Sequence, residues 1–207
     1  MQDKPLLISS LLTHAERYSG QVEVVSRRIE GDLHRYTWAD VAQRSRQLAM
    51  ALDELGLKPG SRVASIAWNG YRHLELYYGV SGSQRVLHTV NPRLHSSQIA
   101  WILQHAEDEV VFFDASFAEL VADLMPLAPG VKHWVKLCKP DGLSHAEQRA
   151  GLLSYEALIA AHSGDYAWPE FDERTASSMC YTSGTTGNPK AVLYSHRSTV
   201  LHTLVLT

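Results

Sequence analysis

Nine consecutive residues, Thr182-Ser183-Gly184-Thr185-Thr186-Gly187-Asn188-Pro189-Lys190, bring four hydroxyls, two glycines and one lysine together in a single stretch. Glycine reaches positive φ at little cost, so backbone N–H groups can converge on an anion. Hydroxyls add hydrogen bonds to phosphate oxygens, and lysine adds a full charge. This chemistry suits the polyphosphate tail of a nucleotide. The same composition also describes a flexible Ser/Thr/Gly linker. The flanks argue against a linker, because Met179-Cys180-Tyr181 on one side and Ala191-Val192-Leu193 on the other read as buried strands. The Walker A pattern, G-x-x-x-x-G-K-[ST], is not met. Counting from Gly184, its second glycine falls on Pro189, and Ala191 follows Lys190 where a magnesium-binding hydroxyl belongs. Proline has no N–H to offer an oxyanion, so the phosphate is expected earlier in the loop.

Other reactive side chains form no such constellation. Cys138 and Cys180 lie far apart and read as two reduced thiols. The 11 histidines include no HExxH or Cys/His metal spacing and read as surface or satisfied core residues. No catalytic acid, base or nucleophile can be assigned. With 19 Lys plus Arg against 22 Asp plus Glu, the net charge is −3 and no basic block is present, which excludes nucleic acid as the expected partner. No apolar run is long enough to span a membrane, and the opening residues lack the basic and apolar regions of a signal peptide. A cytoplasmic chain is expected.

The elements that must position the loop follow from patterning. Leu6, Leu7, Leu11, Leu12 and Ala15 mark one face of a helix stopped by Gly20. Val22 to Arg28 and Leu33 to Trp38 read as a hairpin around Glu30-Gly31-Asp32. Thr37 with Asp40 can cap a helix that buries Val41, Leu48, Leu52 and Leu55. Strands and helices then alternate: Arg62 to Ala67, Tyr71 to Val80, Val86 to Val90, Ser96 to Ala106, Val110 to Phe113, Phe117 to Leu127 and His133 to Leu137. Alternation predicts an α/β fold with a mostly parallel sheet covered by helices on both faces. Lys139 to Ala150 reads as a polar loop. Ser178 to Thr182 and Ala191 to Tyr194 read as strands around the Gly-rich loop, and Ser195 as the cap of a helix through Leu206. That helix still shows an apolar face at Thr207, so the sequence is expected to stop inside a fold. Residues 1–177 are expected to form an N-terminal α/β subdomain and 178–207 the start of the next, carrying the loop.

Tyr181 through Lys190 resembles the phosphate-loop signature of the adenylate-forming, AMP-binding enzymes, which include acyl-CoA synthetases, luciferases and peptide-synthetase adenylation domains. Ala67-Trp68-Asn69-Gly70-Tyr71-Arg72-His73-Leu74-Glu75 and Leu87-His88-Thr89-Val90-Asn91-Pro92-Arg93-Leu94-His95 are similar to the branch of medium- and long-chain fatty-acid CoA ligases and methylthiopropionate CoA ligases. The likeness runs from about Leu6 to the end. It implies a ligase that joins a carboxylic, fatty-type acid to AMP using ATP and then passes the acyl group to CoA. By the resemblance, Thr182, Ser183, Gly184, Thr185, Thr186, Gly187, Asn188, Pro189 and Lys190 hold the β and γ phosphates, and the Thr182 hydroxyl reaches Mg²⁺. Ser195-His196-Arg197 also fits the family pattern but reads as a cap followed by two surface side chains. Trp68-Asn69-Gly70 and Asn91-Pro92-Arg93 read as architectural turns. In some relatives the N-terminal region makes a homodimer contact, so an oligomer is an expectation by analogy alone.

Two positions depart from the family. Ala191 stands where glycine usually follows the lysine, and a required positive φ there would cost roughly 1 to 2 kcal/mol. Gln84-Arg85 replaces small residues, read here as a change in a surface turn. Complete members are much longer, and their adenine and acyl pockets, ribose aspartate, hinge and adenylation lysine lie in the further sequence. This chain therefore reads as an N-terminal fragment inactive by itself, with a non-catalytic nucleotide-binding or assembly module as the alternative.

Overall fold

Strands buried on both faces must be apolar at successive positions, and this requirement organises the chain. The computed structural model describes residues 3–182 and 189–206. Helix α1 (Ile8–Ser19) precedes a hairpin of β1 (Glu23–Arg27) and β2 (Leu33–Thr37), then α2 (Trp38–Glu54). Next come β3 (Arg62–Ile66), α3 (Tyr71–Gly82), β4 (Val86–Thr89), α4 (Ser96–His105), β5 (Asp108–Phe113), α5 (Ala118–Leu124) and β6 (His133–Lys136). The rest is α6 (His145–Arg149), β7 (Leu153–Ser154), α7 (Tyr155–Ala160), β8 (Ala176–Thr182), β9 (Lys190–Ser195) and α8 (His196–Leu206). Strands other than the hairpin form one sheet in the order β7-β6-β5-β3-β4-β8-β9, parallel throughout except for the antiparallel β8–β9 pair.

The side chains of β5 alternate between two cores, as a pleated strand requires. Val110 and Phe112 join Leu48, Leu52, Leu76 and Tyr155 under α2, α3 and α7. Val111 and Phe113 join Ile99, Leu103, Val121 and Leu124 under α4 and α5. A third cluster around Leu12, Tyr36, Val41, Ala42 and Tyr71 fastens α1 and the hairpin to the outside of α2 and α3. Gly79 makes the α2–α3 approach possible, since a Cβ there would lie 2.9 Å from the Ser45 carbonyl oxygen. The Thr37–Asp40 capping box forms as expected, with the Asp40 N–H donating to Thr37 Oγ1 at 3.3 Å and the Thr37 N–H to Asp40 Oδ2 at 2.8 Å.

Five readings are corrected. Ala191-Val192-Leu193 is a strand but not a buried one, because β9 is the edge of the sheet and leaves Val192 37% and Leu193 61% exposed. Lys139 to Ala150 is not all loop, because a capping box between Ser144 and Glu147 starts α6. Gln84-Arg85 is no surface turn. Gln84 takes φ +62° and turns the chain so that Arg85 is only 2% exposed, its Nη2 donating to Asp53 Oδ1 and to the Leu57 carbonyl, each at 2.6 Å. His196 is fully buried rather than on the surface. Its Nδ1 accepts from the Ile8 N–H at 3.2 Å and its ring meets Phe171 edge-on. Beside it, Glu173 accepts from the Leu6 N–H at 2.6 Å and pairs with Arg197, which is exposed as expected. These contacts sew the amino-terminal segment to the start of α8. Nor are all core histidines satisfied, since Nε2 of His88 and of His196 is buried without a partner. Both cysteines are free thiols, as expected.

A buried ionic network joins elements that the hydrophobic pattern treats separately. Arg44 on α2 donates to Glu75 on α3 at 2.7 and 3.1 Å and to Glu156 on α7 at 3.0 Å. Tyr155 donates to Glu75 at 2.6 Å, and Tyr71 and Arg72 donate to Glu156 at 2.8 Å each. Arg72 also reaches Glu30 in the hairpin turn at 3.0 Å. Glu75 is completely buried, so removing Arg44 strands a charge in low dielectric, whereas removing both partners does not.

We therefore expect Arg44→Met to lower unfolding free energy by about 3 kcal/mol in urea titrations, and the Arg44→Met/Glu75→Leu pair to recover much of that. Equal losses in the single and double variants would contradict this account. His196 yields a pH prediction. Burial pushes its imidazole down to about 4 from an ordinary 6.5, so the folded chain stays neutral while the unfolded chain takes up a proton. Stability is then full above 6.5 and falls as pH drops through that window toward 4. His196→Asn keeps an acceptor but not the titration. Between about pH 7.5 and about pH 5 the natural chain should lose about 1 to 2 kcal/mol more than this variant. Identical pH slopes would rule the effect out.

Candidate functional site

The Gly-rich segment leaves the sheet at the carboxyl end of β8, the same edge at which the parallel strands β3, β4 and β5 end. Open α/β sheets bind ligands along this edge. β8 is bonded on both sides: to β4 through Leu87–Ser178, His88–Met179 and Thr89–Cys180, and to β9 through pairs that close with Tyr181–Ala191 and Thr182–Lys190. The two ends of the segment are thus fixed opposite each other by one antiparallel rung.

Of the residues expected to hold phosphate, Thr182 and Lys190 face one another across that rung and are both exposed, while Pro189 is half-buried. Thr182 Oγ1 donates to the Lys190 carbonyl oxygen at 3.5 Å, a long contact that leaves the hydroxyl available to a better partner. Ser183, Gly184, Thr185, Thr186, Gly187 and Asn188 lie outside the described residues. Ala191 sits inside β9, and Gln84 and Glu107 are the only non-glycine residues with positive φ among those described. The condition for strain at Ala191 is therefore not met.

Tyr181, just before the segment, was not singled out by its residue type. Its phenol lies 2.6 Å from His105 Nδ1 on α4 and its ring rests 5.2 Å from that of His88. Nothing in the spacing connects residues so far apart. On the other face of the sheet, near Cys180 and Thr89, His73 Nε2 lies 3.2 Å from Ser65 Oγ, and burial lowers the His73 imidazole and raises the Tyr77 phenol.

The flanking motifs are architectural, as expected. Trp68-Asn69-Gly70 turns β3 into α3, with the Trp68 N–H donating to Asp114 at 2.7 Å and its indole to Ser116 at 2.9 Å. Asn91-Pro92-Arg93 turns out of β4, with Asn91 Oδ1 accepting from the Arg93 N–H at 3.0 Å. Ser195 Oγ accepts from the Ser198 N–H at 3.1 Å and so caps α8. Among the described residues no three His, Cys, Asp or Glu side chains converge on a cation position, and no helix is long and apolar enough to cross a membrane.

Comparison with known proteins agrees with this geometry. The family model described as AMP-binding enzyme matches residues 11–206. The 3-methylmercaptopropionyl-CoA ligase of Ruegeria lacuscaerulensis is 52% identical over 98% of the chain, and the medium-chain-fatty-acid–CoA ligase of Ectopseudomonas oleovorans is 50% identical over 99%. The chain spans 37% of the length of each of these two relatives. In fold, the crystal structure of an anthranilate CoA ligase in complex with anthranoyl-AMP superposes with a TM-score of 0.81 at 20% identity, over 95% of this chain and 37% of that one. An α/β sheet carrying this loop between β8 and β9, matched along nearly its whole length, places the chain in the AMP-binding enzyme family, among the adenylate-forming CoA ligases.

Proposed function

We propose that the chain is the phosphate-gripping N-terminal part of an acyl-CoA ligase whose acid is of the fatty type, with an apolar tail. In that reaction a carboxylate oxygen attacks the α-phosphorus of ATP and the bond to pyrophosphate breaks. The thiol of CoA then attacks the acyl carbon and AMP leaves. The observation that carries the reading is the rung between Thr182 and Lys190, which sets a hydroxyl and an ammonium at the two ends of the Gly-rich segment.

The chain's share of the chemistry is to bind and orient the triphosphate. Lys190 offsets negative charge that gathers on the departing pyrophosphate, and Thr182, Ser183, Thr185 and Thr186 supply hydroxyl donors. Mg²⁺, when bound with the nucleotide, neutralises charge shared by the phosphates. The Thr182 hydroxyl would be this chain's contact to that ion, and by the family resemblance a carboxylate from outside this chain would join it. Adenine, acid and CoA are assigned to the part of a complete ligase that this chain does not span. We regard a cytoplasmic location and a homodimer as parts of the same proposal.

Calorimetry of the 207-residue chain with Mg-ATP tests the reading. Lys190→Ala should weaken binding by about 10-fold or more, the loss of one charge-assisted hydrogen bond. Unchanged affinity would sink it. The chain supplied with acid, ATP and CoA should form no acyl-CoA, because a phosphate cradle alone cannot align three reactants. A full-length ligase carrying this chain should instead show carboxylate-dependent exchange of pyrophosphate into ATP.

A further inference from the structure

Pairing between β4 and β8 stops at Thr89–Cys180, so Tyr181 and Thr182 are supported along the backbone by β9 alone. At that point the tyrosine side chain takes over. Tyr181 Oη lies 2.6 Å from Nδ1 of His105, the last residue of α4, and the two rings meet edge-on at 5.8 Å. His105 is itself held by stacking on Trp101 at 4.7 Å. Beneath the phenol lies His88, which is completely buried and bound through Nδ1 to the equally buried Asp108 at 2.7 Å.

Stability does not explain the His88–Asp108 pair. Taking an imidazole and a carboxylate out of water is costly, and His88 Nε2 and Asp108 Oδ1 remain without partners. What the pair does provide is a ring that cannot turn, directly under the residue that enters the loop. The Tyr181 hydroxyl donates to His105 Nδ1 when that imidazole carries its own proton on Nε2.

We propose that Tyr181 is a positioning residue: tied to His105 and seated on His88, it fixes the direction in which β8 delivers Thr182 to the phosphate loop. Its role toward phosphate rests on the function proposed above, but the brace itself does not. Tyr181 acts through Thr182 and the Thr182–Lys190 rung.

Amide hydrogen exchange, followed by NMR on the ligand-free chain, tests the brace without any ligand. Tyr181→Phe keeps the ring and removes the bond to His105. It should speed exchange at Thr182, Lys190 and Ala191 by about 5-fold or more, while Met179 in mid-strand and the thermal midpoint stay unchanged. His105→Leu should act alike, and His105→Asn, whose Oδ1 can take the place of Nδ1, should restore natural exchange. In parallel calorimetry, Tyr181→Phe and His105→Leu should weaken Mg-ATP binding by about 5-fold and His105→Asn should recover it. Unaltered exchange at Thr182 and Lys190 in both disrupting variants would overturn the brace. Faster exchange with undiminished Mg-ATP affinity would overturn its positioning role. A natural chain that binds no Mg-ATP would contradict the phosphate reading and with it that role, while the exchange comparison would still decide the brace.

Discussion

β8 must satisfy hydrogen-bonding partners on both edges, parallel to β4 on one side and antiparallel to β9 on the other. The parallel edge ties β8 to the main sheet and points its carboxyl end where helices leave the other strands. The antiparallel edge sets Lys190 directly opposite Thr182. Parallel pairing needs long crossovers covered by helices, whereas a reversal needs only a short connection. The rung at Thr182 and Lys190 is the point where these two demands meet, and the layers of α2, α3, α4 and α5 bury the strands β3 and β5 on which that edge of the sheet is built.

Polar interactions complete what the two cores begin. The network of Arg44, Glu75, Tyr155, Glu156 and Arg72 runs from α2 through α3 to α7 and the hairpin turn, crossing boundaries that hydrophobic contacts alone leave unspecified. A buried network with several mutually dependent partners selects one helix arrangement because misplacing any member leaves a charge unpaired. His196 and Glu173 do a related job at the amino terminus, fastening residues Leu6 and Ile8 to the helix that follows β9. The beginning of the chain therefore supports the exit from the loop.

Much of this was legible where a local rule decides the outcome. Val110-Val111-Phe112-Phe113 is apolar at every position because both its faces are covered, and Thr37-x-x-Asp40 forms the cap its spacing promises. Ser144-x-x-Glu147 carries the same kind of signal, but α6 is so short that surrounding polarity masked it. Arg85, His196 and Tyr181 were misjudged or passed over for a different reason. Residue type favours exposure for arginine and histidine, and only partners distant in sequence, Asp53, Ile8 and His105 respectively, explain where these side chains lie. The two strands that flank the Gly-rich segment were legible as strands, the burial of β9 was not because its edge position is set by distant pairing, and the structure adds the rung that sets Thr182 opposite Lys190.

The central claim is that Lys190 lies against the terminal phosphates of a bound nucleotide. Adenosine triphosphopyridoxal tests it most directly, because its aldehyde sits beyond the polyphosphate and forms an imine with the nearest lysine, which borohydride makes permanent. The account predicts that peptide mapping finds the label on Lys190 and that excess Mg-ATP prevents it. Labelling of other lysines such as Lys58 or Lys139, with Lys190 unmodified and no protection by Mg-ATP, would contradict it.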